Sequence, residues 1–161
     1  MTAAGPSPES VWDYPRPPVI RTARGRLVQV WFGGTLIAST TQAVRVLETS
    51  HPPVYYLPAS DVAGRFLVPS DGTSFCEWKG QARYWDLLVQ GSRAVQAAWS
   101  YPRPLPAYRE LSGRLSFYPA RVDRCTVDGE TVRAQDGDFY GGWITGEIAG
   151  PFKGGPGTSG W

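Results

Sequence analysis

Two stretches of the chain alternate in a way that suits extended strands. From Gln81 to Val89, the side chains of Gln81, Arg83, Trp85, Leu87 and Val89 fall on one side, against Ala82, Tyr84, Asp86 and Leu88 on the other. From Ala94 to Tyr101, the residues Val95, Ala97, Trp99 and Tyr101 alternate with Ala94, Gln96, Ala98 and Ser100. Successive strand side chains point to opposite faces, so a period of two gives each strand two different faces. Gly91-Ser92 is expected to turn the chain between them. The two stretches then form an antiparallel pair, with Tyr84 and Trp99 in reach of each other where they share a face.

Shorter runs extend the pattern. Leu27 to Phe32 and the run TLIAST flank Gly33-Gly34, which predicts a hairpin. Ala43 to Leu47 is an apolar run ending at Glu48, and the HPP of 51–53 forces a turn before the strand Val54 to Leu57. Pro58 to Ala63 can hold one helical turn, with Ser60 or Asp61 near its start. Phe66 to Val68 reads as short and extended, and Asp71-Gly72 as a turn. Leu115 to Tyr118 is a strand, and a second hairpin is expected around Asp128-Gly129. No long amphipathic helix and no internal repeat is present. The pattern is that of an all-β single domain.

The ends differ from the middle. Residues 1–18 hold five prolines with Trp12 and Tyr14 among them and read as an extended arm held to the body by those two rings. Residues 19–133 form the β-domain. Residues 134–161 contain nine glycines interspersed with Trp143, Phe152 and Trp161, which is unlike a flexible linker. This tail is expected to wrap over the body or over a second subunit, and a homodimer is one admissible state.

Composition narrows the class. At 161 residues and 42% hydrophobic the chain can bury a real core. The net charge of +2 has no basic run behind it, which disfavours nucleic acid as a partner. Nothing at the N-terminus reads as a secretory signal, and no stretch reads as a membrane span. A soluble cytoplasmic protein with two reduced thiols, Cys76 and Cys125, is the expectation. Two Cys and the single His51 are too few for a four-ligand zinc site unless carboxylates fill in, so neither metal nor cofactor is implied.

Several segments together resemble a known family. They are VLE at 46–48, PVYYLPASDV at 53–62, CEWKGQARYW at 76–85, AAWSYPRP at 97–104 and SGRLSFY at 112–118. In this order they resemble the bacterial family catalogued as domain of unknown function 427, also labelled nucleotidyltransferase-like. The resemblance implies a compact β-domain of two antiparallel sheets meeting at an angle, tent-like or sandwich-like. Several such domains carry a zinc pin, for which this chain lacks the cysteines. The common nucleotidyltransferase site needs a Gly-Ser at a helix start closely followed by a metal-holding Asp-x-Asp. Here Gly91-Ser92 and Asp136-x-Asp138 lie far apart, so metal-dependent nucleotidyl transfer is not expected.

The candidate chemistry centres on the Cys-x-x-Lys-Gly-x-Ala-x-Tyr motif. Lys79 is one of only two lysines and precedes Gly80 at a strand entrance. It can hold a carboxylate or phosphate, attack a carbonyl, or simply lie over Trp78. Cys76 can act as a nucleophile beside that cation or as a small buried hydrophobe. Glu48 is a general base, a partner of Lys79, or a solvated strand end. Tyr56, Tyr84, Trp99 and Tyr101 are either core or the walls of a pocket for a flat or cationic molecule. His51 reads as a turn residue and Cys125 as structural. Three functions follow. One is a small-molecule pocket, enzymatic through Lys79, Glu48 and Cys76. Another is a non-catalytic ligand-binding or protein-interaction module. The least favoured is single-strand nucleic-acid binding.

Overall fold

The computed structural model describes residues 7–161. Pro6 of the proline-rich arm lies outside the described residues. In chain order the strands are β1 (Glu9–Ser10), β2 (Val19–Thr22), β3 (Val28–Phe32), β4 (Thr35–Thr40), β5 (Val44–Leu47), β6 (Val54–Pro58) and β7 (Leu67–Cys76). They continue as β8 (Gly80–Val89), β9 (Ser92–Ser100), β10 (Arg114–Phe117), β11 (Arg124–Val127), β12 (Glu130–Thr131), β13 (Arg133–Ala134), β14 (Trp143–Ile144) and β15 (Ile148–Ala149). Between them lie short 3-10 turns. Among the described residues no helix is long and apolar enough to cross a membrane.

The fold is all-β. A seven-stranded antiparallel sheet runs β2-β5-β6-β10-β9-β8-β7, and a four-stranded one runs β12-β11-β3-β4. Two small pairings complete it, β13 with β14 antiparallel and β1 with β15 parallel. The hairpin turns obey their sequence signals. Gly33 and Gly34 take φ of 61° and 71°, and Asp128 and Gly129 take 49° and 83°, the left-handed values that tight hairpins require. The β8–β9 turn centres on Gln90 and Gly91 rather than on Gly91-Ser92, because Val89 pairs with Ser92.

Three irregularities depart from simple alternation, the smallest being an extra residue in β4 where the register passes from Val30 opposite Ala38 to Trp31 opposite Leu36. Asp71-Gly72 does not reverse the chain. It sits in a bulge of β7, where the register passes from Pro69 opposite Trp85 to Thr73 opposite Arg83. The short extended piece at Phe66 to Val68 is thus the start of a ten-residue strand. Another bulge lies in β9, between Trp85 opposite Ala98 and Leu87 opposite Ala94. Buried Asp86 holds it, accepting hydrogen bonds from the Gln96 amide at 2.8 Å and Arg93 Nε at 3.0 Å. Gln96 takes φ 49° there. As a result Ala97 and Ala98 both join the main core, while Val95 is left exposed. The helical turn forms at Ala59–Asp61 without a side-chain cap. Asp61 instead accepts from Thr40 Oγ1 at 2.7 Å.

The seven-stranded sheet has two buried faces, and that is what makes a site possible. One face packs Tyr55, Leu57, Leu87, Val89, Leu115 and Phe117 against Val28, Val30, Ile37, Cys125 and Val127 of the smaller sheet. The opposite face carries Val44, Val46, Tyr56, Ala82 and Trp99, with Tyr101, Tyr108, Leu111 and Tyr118 beside them. Period two sorts these residues. Along β6, Tyr55 and Leu57 enter the main core while Val54 and Tyr56 turn to the other face. Cys125 is fully buried in the main core, and burial pushes its thiol pKa up.

Arm and tail meet in one chain. Val11, Tyr14, Leu47, Ile144 and Ile148 form a third apolar cluster. Trp12 is half exposed and packs on the tail, with Nε1 donating to the Pro151 carbonyl at 2.8 Å and its ring 5.2 Å from that of Trp161. Tyr14 and the unforeseen Val11 are the buried anchors of the arm.

Candidate functional site

The second face of the large sheet forms the floor of a cavity of about 300 Å³. Tyr56, Ala82, Tyr84 and Trp99 supply it from β6, β8 and β9, with Tyr101 and Tyr118 at its margins. The rings are fixed in place. Trp99 Nε1 donates to Tyr56 Oη at 3.2 Å, and the two rings stand at 86° with centroids 6.1 Å apart. Tyr118 lies 4.5 Å from Trp99, and Tyr84 Oη is 2.8 Å from Ser74 Oγ. Burial raises the phenol pKa of Tyr56, Tyr101 and Tyr118, so all three remain neutral.

One wall is the β7–β8 hairpin. Cys76 pairs with Gly80, leaving Glu77, Trp78 and Lys79 as a three-residue loop over the floor. Gly80 takes φ 112°, and a Cβ there would stand 3.3 Å from the Arg103 carbonyl oxygen. The Lys79 carbonyl accepts from the Leu105 amide at 2.9 Å, so the hairpin tip is tied to the segment after β9. The half-buried Lys79 ammonium lies 6.0 Å from the Tyr101 ring centre. Its Nζ forms no ion pair among the described residues.

The opposite wall follows β5. Glu48 Oε2 lies 3.4 Å from Arg16 Nε and 3.8 Å from His51 Nε2. The other ring nitrogen of His51, Nδ1, faces Gln135 Nε2 at 3.5 Å. Burial lowers the His51 pKa below its ordinary value of 6.5, and Lys153, Arg16 and Lys79 add to this against the opposing pull of Glu48. The unfolded chain therefore protonates His51 at a higher pH than the folded one. The resulting stability is fully present above pH 6.5 and is lost as pH falls through the lowered folded value. Melting temperatures between pH 8 and 5 should show this decline, and His51→Gln should remove it. A variant with the same pH slope as the natural chain would contradict the assignment.

The tail closes the cavity. Gln135 is buried and donates to the Lys153 carbonyl at 2.7 Å, while its Oε1 accepts from the Gly142 amide at 3.1 Å. Gly141 rests on Trp99, and a Cβ at that position would be 2.2 Å from Trp99 Cη2. Phe139 and Tyr140 follow the rim, and the Phe139 carbonyl accepts from Tyr118 Oη at 3.1 Å. Phe75 and Phe139 line the same cavity yet are 72% and 64% exposed, which makes its edge apolar. Among the described residues no three His, Cys, Asp or Glu side chains converge to hold a metal ion.

A family model described as domain of unknown function (DUF427) matches residues 19–128. The chain belongs to the DUF427 family. No curated protein matches it. Within this DUF427 chain, Gly91 lies in the β8–β9 turn and Ser92 opens β9, so neither starts a helix. The matched span contains Glu48, His51, Tyr56, Cys76, Lys79, Tyr84, Trp99, Tyr101 and Tyr118, whereas Gln135, Phe139, Tyr140, Gly141 and Lys153 lie beyond it.

The structure brings Lys79, Glu48, Cys76, Tyr56, Tyr84, Trp99 and Tyr101 around one cavity. Sequence reasoning missed His51, Tyr118 and the tail residues. One signal was available for two of them. The chain has two lysines and one histidine, and all three line this cavity.

Proposed function

We propose that this DUF427 domain binds a small organic molecule in the cavity, with the aromatic floor against its flat body and Lys79 on an anionic or carbonyl group. The observation that carries this reading is the Lys79 ammonium, which lines an aromatic cavity without an ion-pair partner among the described residues. An ammonium has three donors to satisfy, and a half-buried one gains most from an acceptor brought by a ligand.

A catalytic version, with Glu48 and Cys76 doing proton or thiol work, draws on a separate observation. Glu48 and Cys76 line the same cavity as Lys79, and the Glu48 carboxylate, 3.8 Å from His51 Nε2, is not hydrogen-bonded to that ring and is left to act on a bound molecule. In the non-catalytic version, ligand is bound and released unchanged.

Thermal shifts against nucleotides, amino acids, aldehydes and organic acids test the reading. A ligand at a hundred times its Kd stabilises the native state by about 2.7 kcal/mol. Lys79→Met should weaken an anionic ligand by roughly 10- to 100-fold, the worth of a hydrogen bond to a charged group. An absence of hits across the library, or hits indifferent to Lys79→Met, would overturn it. Product formation from a hit would separate the catalytic version from the binding one.

A further inference from the structure

We infer that the cavity's ligand is a small aromatic zwitterion, with a carboxylate held by Lys79 and an ammonium held by Glu48; this rests on the binding reading above. Charge matching across the cavity carries the inference. Of the charged groups lining it, Lys153 is satisfied within the tail, donating to backbone oxygens of Trp161 at 3.1 Å and Ser159 at 3.4 Å. Glu77 sits on the exposed hairpin loop, where water solvates it. His51 is held toward its neutral form by burial. Lys79 and Glu48 remain.

Both are incompletely satisfied. Lys79 has no ion-pair partner among the described residues. Glu48 has Arg16 at 3.4 Å and His51 at 3.8 Å, both longer than a charge-assisted hydrogen bond of about 2.7–2.9 Å. The two groups do not pair with each other, although they line one cavity. Each is restrained on its own side, Lys79 by the hairpin tie to Leu105 and Glu48 by Arg16. An unpaired cation and an anion held only by long contacts face the same space, and together they fit a ligand that carries both charges.

Along the sheet between them stand Tyr56 and Trp99 of the floor, with Tyr101 at its margin. Such faces accept an aromatic side chain and also favour a cation lying over them. The volume of about 300 Å³ is at the small end for ligand sites, which suits one ring system with a short charged arm.

The experiment titrates the intact chain with six probes by calorimetry. They are L-tryptophan and L-phenylalanine, the amines tryptamine and phenethylamine, and the acids 3-indolepropionate and 3-phenylpropionate. The expected result is that at least one amino acid binds tenfold or more tightly than both its amine and its acid. Glu48→Gln should then erase its advantage over the acid, and Lys79→Met its advantage over the amine. An acid binding as tightly as its amino acid overturns the zwitterion and leaves the Lys79 pocket standing. So does failure of all six probes while another compound of the wider library binds. If no compound of any class binds, the pocket reading itself fails. The comparison among probes uses the natural chain, so a variant that fails to fold does not blunt it.

Discussion

Replacing Trp143 with alanine is expected to lower the unfolding free energy by about 3–5 kcal/mol. Trp143 lies in the tail, beyond the DUF427 match, yet it is fully buried in the main core. Its ring stacks on Tyr55 at 4.9 Å, and its Nε1 donates to the Phe117 carbonyl at 3.0 Å. Truncation leaves a large void among side chains already held by both sheets, and it leaves that carbonyl without its donor. For a domain of this size the melting temperature should fall by roughly 6–20 °C. Trp143→Phe separates the two contributions, because it keeps much of the apolar volume and still removes the donor. Chemical denaturation of both variants gives the values directly. A loss under about 1 kcal/mol for Trp143→Ala would mean that the tail is peripheral to the fold rather than part of its core.

The importance of that tail shows what the amino-acid pattern could and could not disclose. Alternation in β8 and β9, and the Gly-Gly and Asp-Gly turns, depend on neighbours in sequence, so they were legible. The bulges were not. Asp86 looks like one more polar position in an alternating strand, and only its bonds to Gln96 and Arg93 make it the support of a bulge. Asp71-Gly72 has the composition of a turn, but its surroundings hold it inside β7. The strands β13, β14 and β15 have two residues each, too short for any period to register. The site divides in the same way. Tyr56, Tyr84 and Trp99 could be gathered from strand alternation and the family-like motifs. His51 and Gln135 approach each other across 84 positions, and nothing local announces that contact.

Gly141→Ala is expected to weaken ligand binding by tenfold or more, with a stability cost of about 1–3 kcal/mol from overpacking. The added methyl would lie 2.2 Å from Trp99 Cη2 and 2.7 Å from Cζ3, so one partner must move. Trp99 is poorly placed to do so. Its Nε1 is bonded to Tyr56, and its ring packs on Tyr118 at 4.5 Å. The tail must then lift, but it is constrained on its other side. Gly142, the next residue, has no room either, since a Cβ there would be 2.5 Å from Gln135 Oε1 and 2.9 Å from Pro52 Cβ. Displacement therefore passes to Phe139 and Tyr140, which line the cavity, and strains the Gln135–Gly142 hydrogen bond. Core residues such as Trp143 stay anchored, so the chain should remain folded while its amides around 135–142 exchange faster. Gly160→Ala serves as the control, because nothing lies within 4 Å of the Cβ it would add. A Gly141→Ala protein with natural exchange rates and an undiminished ligand response would show that the wall resting on Trp99 does not shape the cavity. Faster exchange together with lost binding would mean that the cavity is completed by residues beyond the DUF427 match, so that binding in this chain depends on its tail.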